Sequence, residues 1–79
     1  MARRRHHERP LHERVMDHVT DLGLSFADVT RLTGWHELAT LRRLTGKVKL
    51  SGEDMEKLAE VLKRPVEDLY RGLPRARAS

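Results

Sequence analysis

Between Leu24 and Gly46 the chain reads LSFADVTRLTGWHELATLRRLTG, two short amphipathic segments separated by one glycine, Gly34. Glycine ends helices in a left-handed conformation that other residues resist, so the spacing predicts a short helix, a tight turn and a second helix closed by Gly46. In the first segment Ser25 and Asp28 form a capping pair, with Asp where Glu is usual, ahead of a buried stripe of Phe26, Val29 and Leu32. In the second, Trp35, Leu38, Leu41 and Leu44 recur every three residues, which predicts a helix over about 36–45 with the leucines inward.

Three more helices flank this pair. Pro10 suits a first helical residue, and Leu11, Val15, Met16, Val19 and Leu22 then share one face over about 10–22 before Gly23. Ser51 and Asp54 repeat the cap ahead of Met55, Leu58, Ala59 and Leu62, over about 52–63. Pro65 opens a last short helix with Val66, Leu69 and Tyr70 inward, ended by Gly72 and Pro74. No stretch alternates with a period of two, so the expected fold is all-α, a compact five-helix bundle without a sheet. Residues 1–9 and 73–79 lack apolar anchors and read as a basic flexible arm and tail around a domain of residues 10–72.

With 79 residues and 9.2 kDa, one core of this size supplies only about 3–5 kcal/mol. That is too little to enclose a substrate and a catalytic constellation, and no glycine-lined elbow or phosphate loop is present, so no enzyme is expected. The absence of cysteine removes disulfides, thiolate zinc sites and Cys nucleophiles together. His6, His7, His12, His18 and His36 supply no i, i+4 ligand pair on a helix, so neither a metal nor a cofactor is expected. No apolar run approaches the roughly 18 residues of a membrane span and no secretion signal opens the chain, which favours a cytoplasmic protein without a membrane partner.

Charge is segregated along the chain, with a net +4 and a pI of about 10.1. Arg3, Arg4, Arg5 and Arg9 lead; Arg31, Arg42, Arg43, Lys47 and Lys49 gather around the central pair; Arg71, Arg75 and Arg77 follow. Between Glu53 and Asp68 the balance turns acidic. A molecule with one basic side and one acidic side orients on a polyanion.

The glycines at 34 and 46, GLS at Gly23 to Ser25, TLRRLTGK at Thr40 to Lys47 and MEKLAEVLKRPVEDLY at Met55 to Tyr70 together give a resemblance. Over about residues 11–72 the chain resembles the phage-repressor (Cro-like, XRE-type) helix-turn-helix family. The resemblance implies a lambda-repressor-like fold that binds double-stranded DNA as a transcriptional regulator at the nucleoid, with the third helix in the major groove and the second across the backbone. The chain departs from the family's pattern at Phe26, where Gln is usual, at Leu44 for Glu and at Leu50 for Pro. It also places Thr40 where the family has the first buried aliphatic of the third helix, six residues after the turn glycine, with Leu41 following. A longer turn and a rotated third helix both accommodate that shift.

At about 100° per residue, an inward arc of Leu38, Leu41 and Leu44 leaves His36, Ala39 and Arg43 outward, flanked by Thr40 and Arg42. Alignment on Gly34 instead carries the family's base-facing positions to His36, Glu37, Leu38 and Arg42; alignment on the leucines carries them to Glu37, Leu38, Ala39 and Arg43. The periodicity keeps Leu38 in the core and makes Arg43 the better groove candidate. An arginine fork pairs with guanine O6 and N7, and the other arginine of the pair would hold a phosphate. Glu37 can accept from a cytosine amine or stabilise the helix dipole.

Lys47 and Lys49 are expected on the backbone, with the capped helix start at Ser25 and the Phe26 amide on a phosphate. Arg3, Arg4 and Arg5 form an arm for the backbone or an adjacent minor groove. Trp35, Phe26 and Tyr70 read as core side chains. A homodimer would use the last helix, around Leu69, Tyr70 and Leu73. Two other functions suit the same fold: an antitoxin or adaptor that holds a protein through its acidic fourth helix, and an accessory recombination factor that bends DNA.

Overall fold

The computed structural model describes residues 9–74, in which five helices follow one another: α1 (Leu11–Asp21), α2 (Phe26–Thr33), α3 (Glu37–Leu44), α4 (Gly52–Leu62) and α5 (Val66–Arg71). No strand occurs among the described residues. Local chemistry sets most of the ends. Ser25 and Ser51 each accept from the amide three residues on, while Asp28 and Asp54 accept back from the serine amides, so α2 and α4 both begin with a complete capping box. Pro10 and Pro65 precede α1 and α5, where the missing proline N–H costs no helical bond. Gly34 ends α2 at φ +76°, which lets the chain reverse into α3 within three residues.

The core is aliphatic and draws on every helix: Val15 and Val19 from α1, Val29 from α2, Leu44 from α3, Met55, Leu58 and Leu62 from α4, and Leu69 from α5. Helix α1 packs on α3 and α5, α2 on α3 and α4, and α4 on α5. Leu22, Phe26, Leu32 and Tyr70, expected inward from periodicity, are instead exposed, because short helices in so small a body each bury only a narrow arc.

One buried polar group was assigned no place by the apolar pattern. His18 lies in the core beside Val15 and Val19, donating from Nε2 to the Asp68 carbonyl at 2.8 Å and accepting at Nδ1 from Arg64 Nη1 at 2.8 Å. Arg64 Nη2 in turn donates to Asp21 at 2.7 Å. Those roles require the Nε2–H tautomer, and they fasten α1 to α5 and to the α4–α5 connection while leaving no ring nitrogen orphaned.

Arg9 and Leu73, placed by composition in the arm and the tail, are both fixed to α1. Arg9 pairs with Asp17, its Nη1 donating to Oδ1 at 3.1 Å, and Asp17 Oδ2 accepts the Leu73 amide at 3.1 Å. Arg9 Nη2 also reaches the Leu73 carbonyl at 3.3 Å, so the chain enters and leaves the bundle at neighbouring points. The Arg9–Asp17 pair thus holds both ends against α1.

Candidate nucleic-acid interface

Helix α3 is rotated relative to its leucine stripe. Thr40 is fully buried and Leu44 is 1% exposed, whereas Leu38 and Leu41 keep 46% and 44% of their surfaces in solvent. The expectation that Leu38, Leu41 and Leu44 line the core therefore holds for Leu44 alone. Thr40 tolerates burial because its hydroxyl donates to the His36 carbonyl at 3.3 Å within the same helix, leaving a methyl and a satisfied oxygen toward the core. Its burial removes it as a base-contact candidate. The turn from Gly34 is thus not lengthened: the residue six positions on is the buried one, and the departure lies in its being a threonine.

This rotation exchanges the two arginines. With Thr40 and Leu44 inward, helical geometry at about 100° per residue puts Arg42 opposite them, Leu38 about 40° to one side and Ala39 about 60° to the other. Arg42 is exposed. Arg43, the arginine favoured by the leucine periodicity, is turned back onto the protein. Its Nε lies 3.3 Å from Asp54 Oδ2, its guanidinium carbon 4.5 Å from the Trp35 ring centroid, and its side chain is 28% exposed. Asp54 is also the carboxylate of the α4 capping box, so Arg43 ties α3 to the start of α4 through a group already held in place.

The remaining candidates surround the outward face of α3. His36 caps the helix, its Nδ1 accepting the Leu38 amide at 3.2 Å, and both His36 and Glu37 are exposed. Ala39 is half-buried. After Thr45 the chain folds back on the helix, the Lys47 amide donating to the Arg42 carbonyl at 2.9 Å and the Val48 amide to the same oxygen at 3.2 Å. That closure sets Lys47 beside the carboxyl end of the Arg42 face, and both Lys47 and Lys49 are exposed.

On α2, Ser25, Phe26 and Arg31 are exposed. Arg31 pairs with Asp28 at 2.6 Å. The Asp28 carboxyl is held below its ordinary range, first by the Ser25 amide, then by Arg31 and the Ser25 hydroxyl. The arm residues Arg3, Arg4 and Arg5 lie outside the described residues.

On α4, Glu53, Glu56 and Glu60 are exposed together with Lys57, whose Nζ lies 4.0 Å from Glu60. Of the dimerisation candidates, Leu69 is buried in the chain's own core and is not available to a partner; Leu73 is half-buried and Tyr70 exposed. Among the described residues no group of His, Asp and Glu is placed to hold a metal ion, and no helix is long and apolar enough to cross a membrane.

The Arg43, Trp35 and Asp54 cluster had no sequence signal, since its members are eight and eleven residues apart with no shared period. Thr40 did have one, its distance from Gly34, which the regular leucine spacing masked. No family model matches the chain, and neither a curated protein nor a solved structure matches it.

Proposed function

We propose that the chain is a sequence-specific, double-stranded DNA-binding regulator of transcription, in which α2, the Gly34 turn and α3 act as a helix-turn-helix and α3 enters the major groove. The observation that carries this is the face of α3 opposite Thr40 and Leu44: Arg42 projects from its centre, and the backbone closure at the Arg42 carbonyl brings Lys47 alongside. An outward arginine reads guanine through O6 and N7, while lysines past the end of the helix neutralise phosphates and fix its register.

The test is retardation of a labelled duplex carrying the DNA upstream of the chain's own coding sequence, across a salt series. If about five phosphates are neutralised, log affinity falls with a slope of about −4 to −5 against log salt. Arg42→Ala should weaken binding with no change in the thermal melt, whereas Lys47→Ala should lower the slope and keep the sequence preference. Retention that does not change between low and moderate salt overturns the proposal. The exposed Glu53, Glu56 and Glu60 row on α4 favours a second function, an antitoxin or adaptor gripping a basic protein partner. Indifference of DNA retardation to Arg42→Ala, with partner binding lost on reversing those charges, would select it.

A further inference from the structure

We propose that Leu38 and Leu41 make α3 selective for thymine, by contact with its 5-methyl group; this rests on α3 entering the major groove. Helix α3 buries a threonine completely and leaves two leucines nearly half in solvent, the reverse of what burial of apolar surface alone would select. A turn of about 100° around the helix axis would place Leu41 where Thr40 sits. The native rotation instead commits an apolar pair to the outside. The two leucines are three residues apart, so they adjoin on the helix surface, with Cβ atoms about 5–6 Å apart.

What surrounds the pair constrains its occupant. Arg42 is one turn on from Leu38 and next to Leu41, Lys47 and Lys49 follow at the end of the helix, and Glu37 flanks the pair one turn before Leu41, all exposed. A partner for this surface must bring anionic groups to the Arg42 and lysine side of the rim, a hydrogen-bond donor to Glu37 and an apolar group to the middle. Duplex DNA does so at one kind of position: the major-groove edge of every base is polar except the thymine 5-methyl. Two leucines side by side along the helix suit thymines at neighbouring base pairs, with Arg42 left to pair with a guanine next to them. The same helix would then read one base type through charge and another through apolar contact.

The test uses the full chain and needs no variant for its first arm. Duplexes are enriched from a random-sequence library by binding to the protein, and the enriched sequence is resynthesised with deoxyuridine in place of thymidine, which removes only the methyl groups. Affinity should fall about fourfold per contacted methyl. Replacing the contacted thymines by 5-methylcytosine, with guanine opposite, should bind better than the same duplex with cytosine. Leu38→Ala with Leu41→Ala should still melt cooperatively, at a midpoint lowered by no more than the loss of two half-exposed side chains, and bind the thymine and uracil duplexes alike.

Equal binding of the wild type to both duplexes overturns the thymine contact while leaving DNA binding intact. Failure to enrich any duplex, together with salt-insensitive retention, overturns DNA binding and the thymine contact with it. Retained thymine discrimination in the double variant, accompanied by a changed sedimentation coefficient, assigns the leucines to a protein contact instead.

Discussion

Leu41→Ala and Leu44→Ala should differ greatly in cost although the two leucines stand one turn apart on α3. Leu44 is 1% exposed within a core shared by all five helices, and truncating a leucine in such a place costs about 2–5 kcal/mol. A domain of this size holds only about 3–5 kcal/mol in total, so Leu44→Ala should leave a large unfolded fraction without denaturant. Leu41 is 44% exposed, so its truncation forfeits part of the transfer energy and opens no enclosed cavity; about 1 kcal/mol or less is expected.

Thr40→Val is the complementary test of how α3 is rotated. The His36 carbonyl that accepts the Thr40 hydroxyl also accepts the Thr40 amide at 2.9 Å, so removing the hydroxyl orphans nothing and adds a buried methyl. A gain of about 1 kcal/mol is expected. Urea unfolding followed by far-ultraviolet circular dichroism measures all three, as midpoint shifts at constant slope. Equal losses for Leu41→Ala and Leu44→Ala, with Thr40→Val without benefit, would mean that the leucine stripe faces inward and that Arg43, not Arg42, is the outward arginine.

Three other outcomes follow from particular residues. Lys63 ends α4 at φ +57°, a left-handed conformation that costs a side-chain-bearing residue about 1–2 kcal/mol, so Lys63→Gly should raise stability by about 0.5–1 kcal/mol in the same urea assay; a loss would refute the strain. Gly72→Ala should cost clearly more than Gly34→Ala. Both have positive φ, but a Cβ on Gly34 meets nothing within 4 Å, whereas on Gly72, at φ +73° and ψ −169°, it falls 2.8 Å from Arg14 Cγ and 2.9 Å from Arg14 Cβ, an atom tied to the α1 backbone; equal midpoints would refute this. Asp28 carries the pH dependence: because its folded-state pKa is depressed, its contribution is fully present above the ordinary carboxylate range, about 4, and is lost as pH falls through the depressed value. The stability gap between wild type and Asp28→Asn should hold through neutral pH and close on acidification, and a gap that persists into strong acid would show that the Asp28 charge has no role.

Local chemistry made the helices legible. The Ser25–Asp28 and Ser51–Asp54 boxes, the prolines at 10 and 65 and the glycines at 23, 34 and 72 act over one turn of chain, so their consequences do not depend on what packs nearby. The helix ends they predict lie within a residue or so of those observed. The core was legible where a helix buries a regular arc, as at Met55, Leu58 and Leu62 on α4. His18 shares the arc of Val15 and Val19, yet it stays hidden to an apolar pattern because its burial depends on acceptor and donor groups 50 and 46 residues away.

The order, lengths and caps of five helices, the absence of any strand pattern and the gathering of cations around α3 were determined by the sequence itself, since each arises from neighbouring residues or from composition. The rotation of α3 about its own axis was decided only by the tertiary structure. Leucines at 38, 41 and 44 make a plausible inward arc, and Thr40 with Leu44 makes another about one residue away, so periodicity distinguishes them poorly. The choice falls to what packs against the helix and what holds its flank: α1 and α2 on one side, and the Arg43 bridge to Trp35 and Asp54 on the other. Those long-range contacts turn Arg42 outward and Arg43 back, and with them the chemistry that α3 presents.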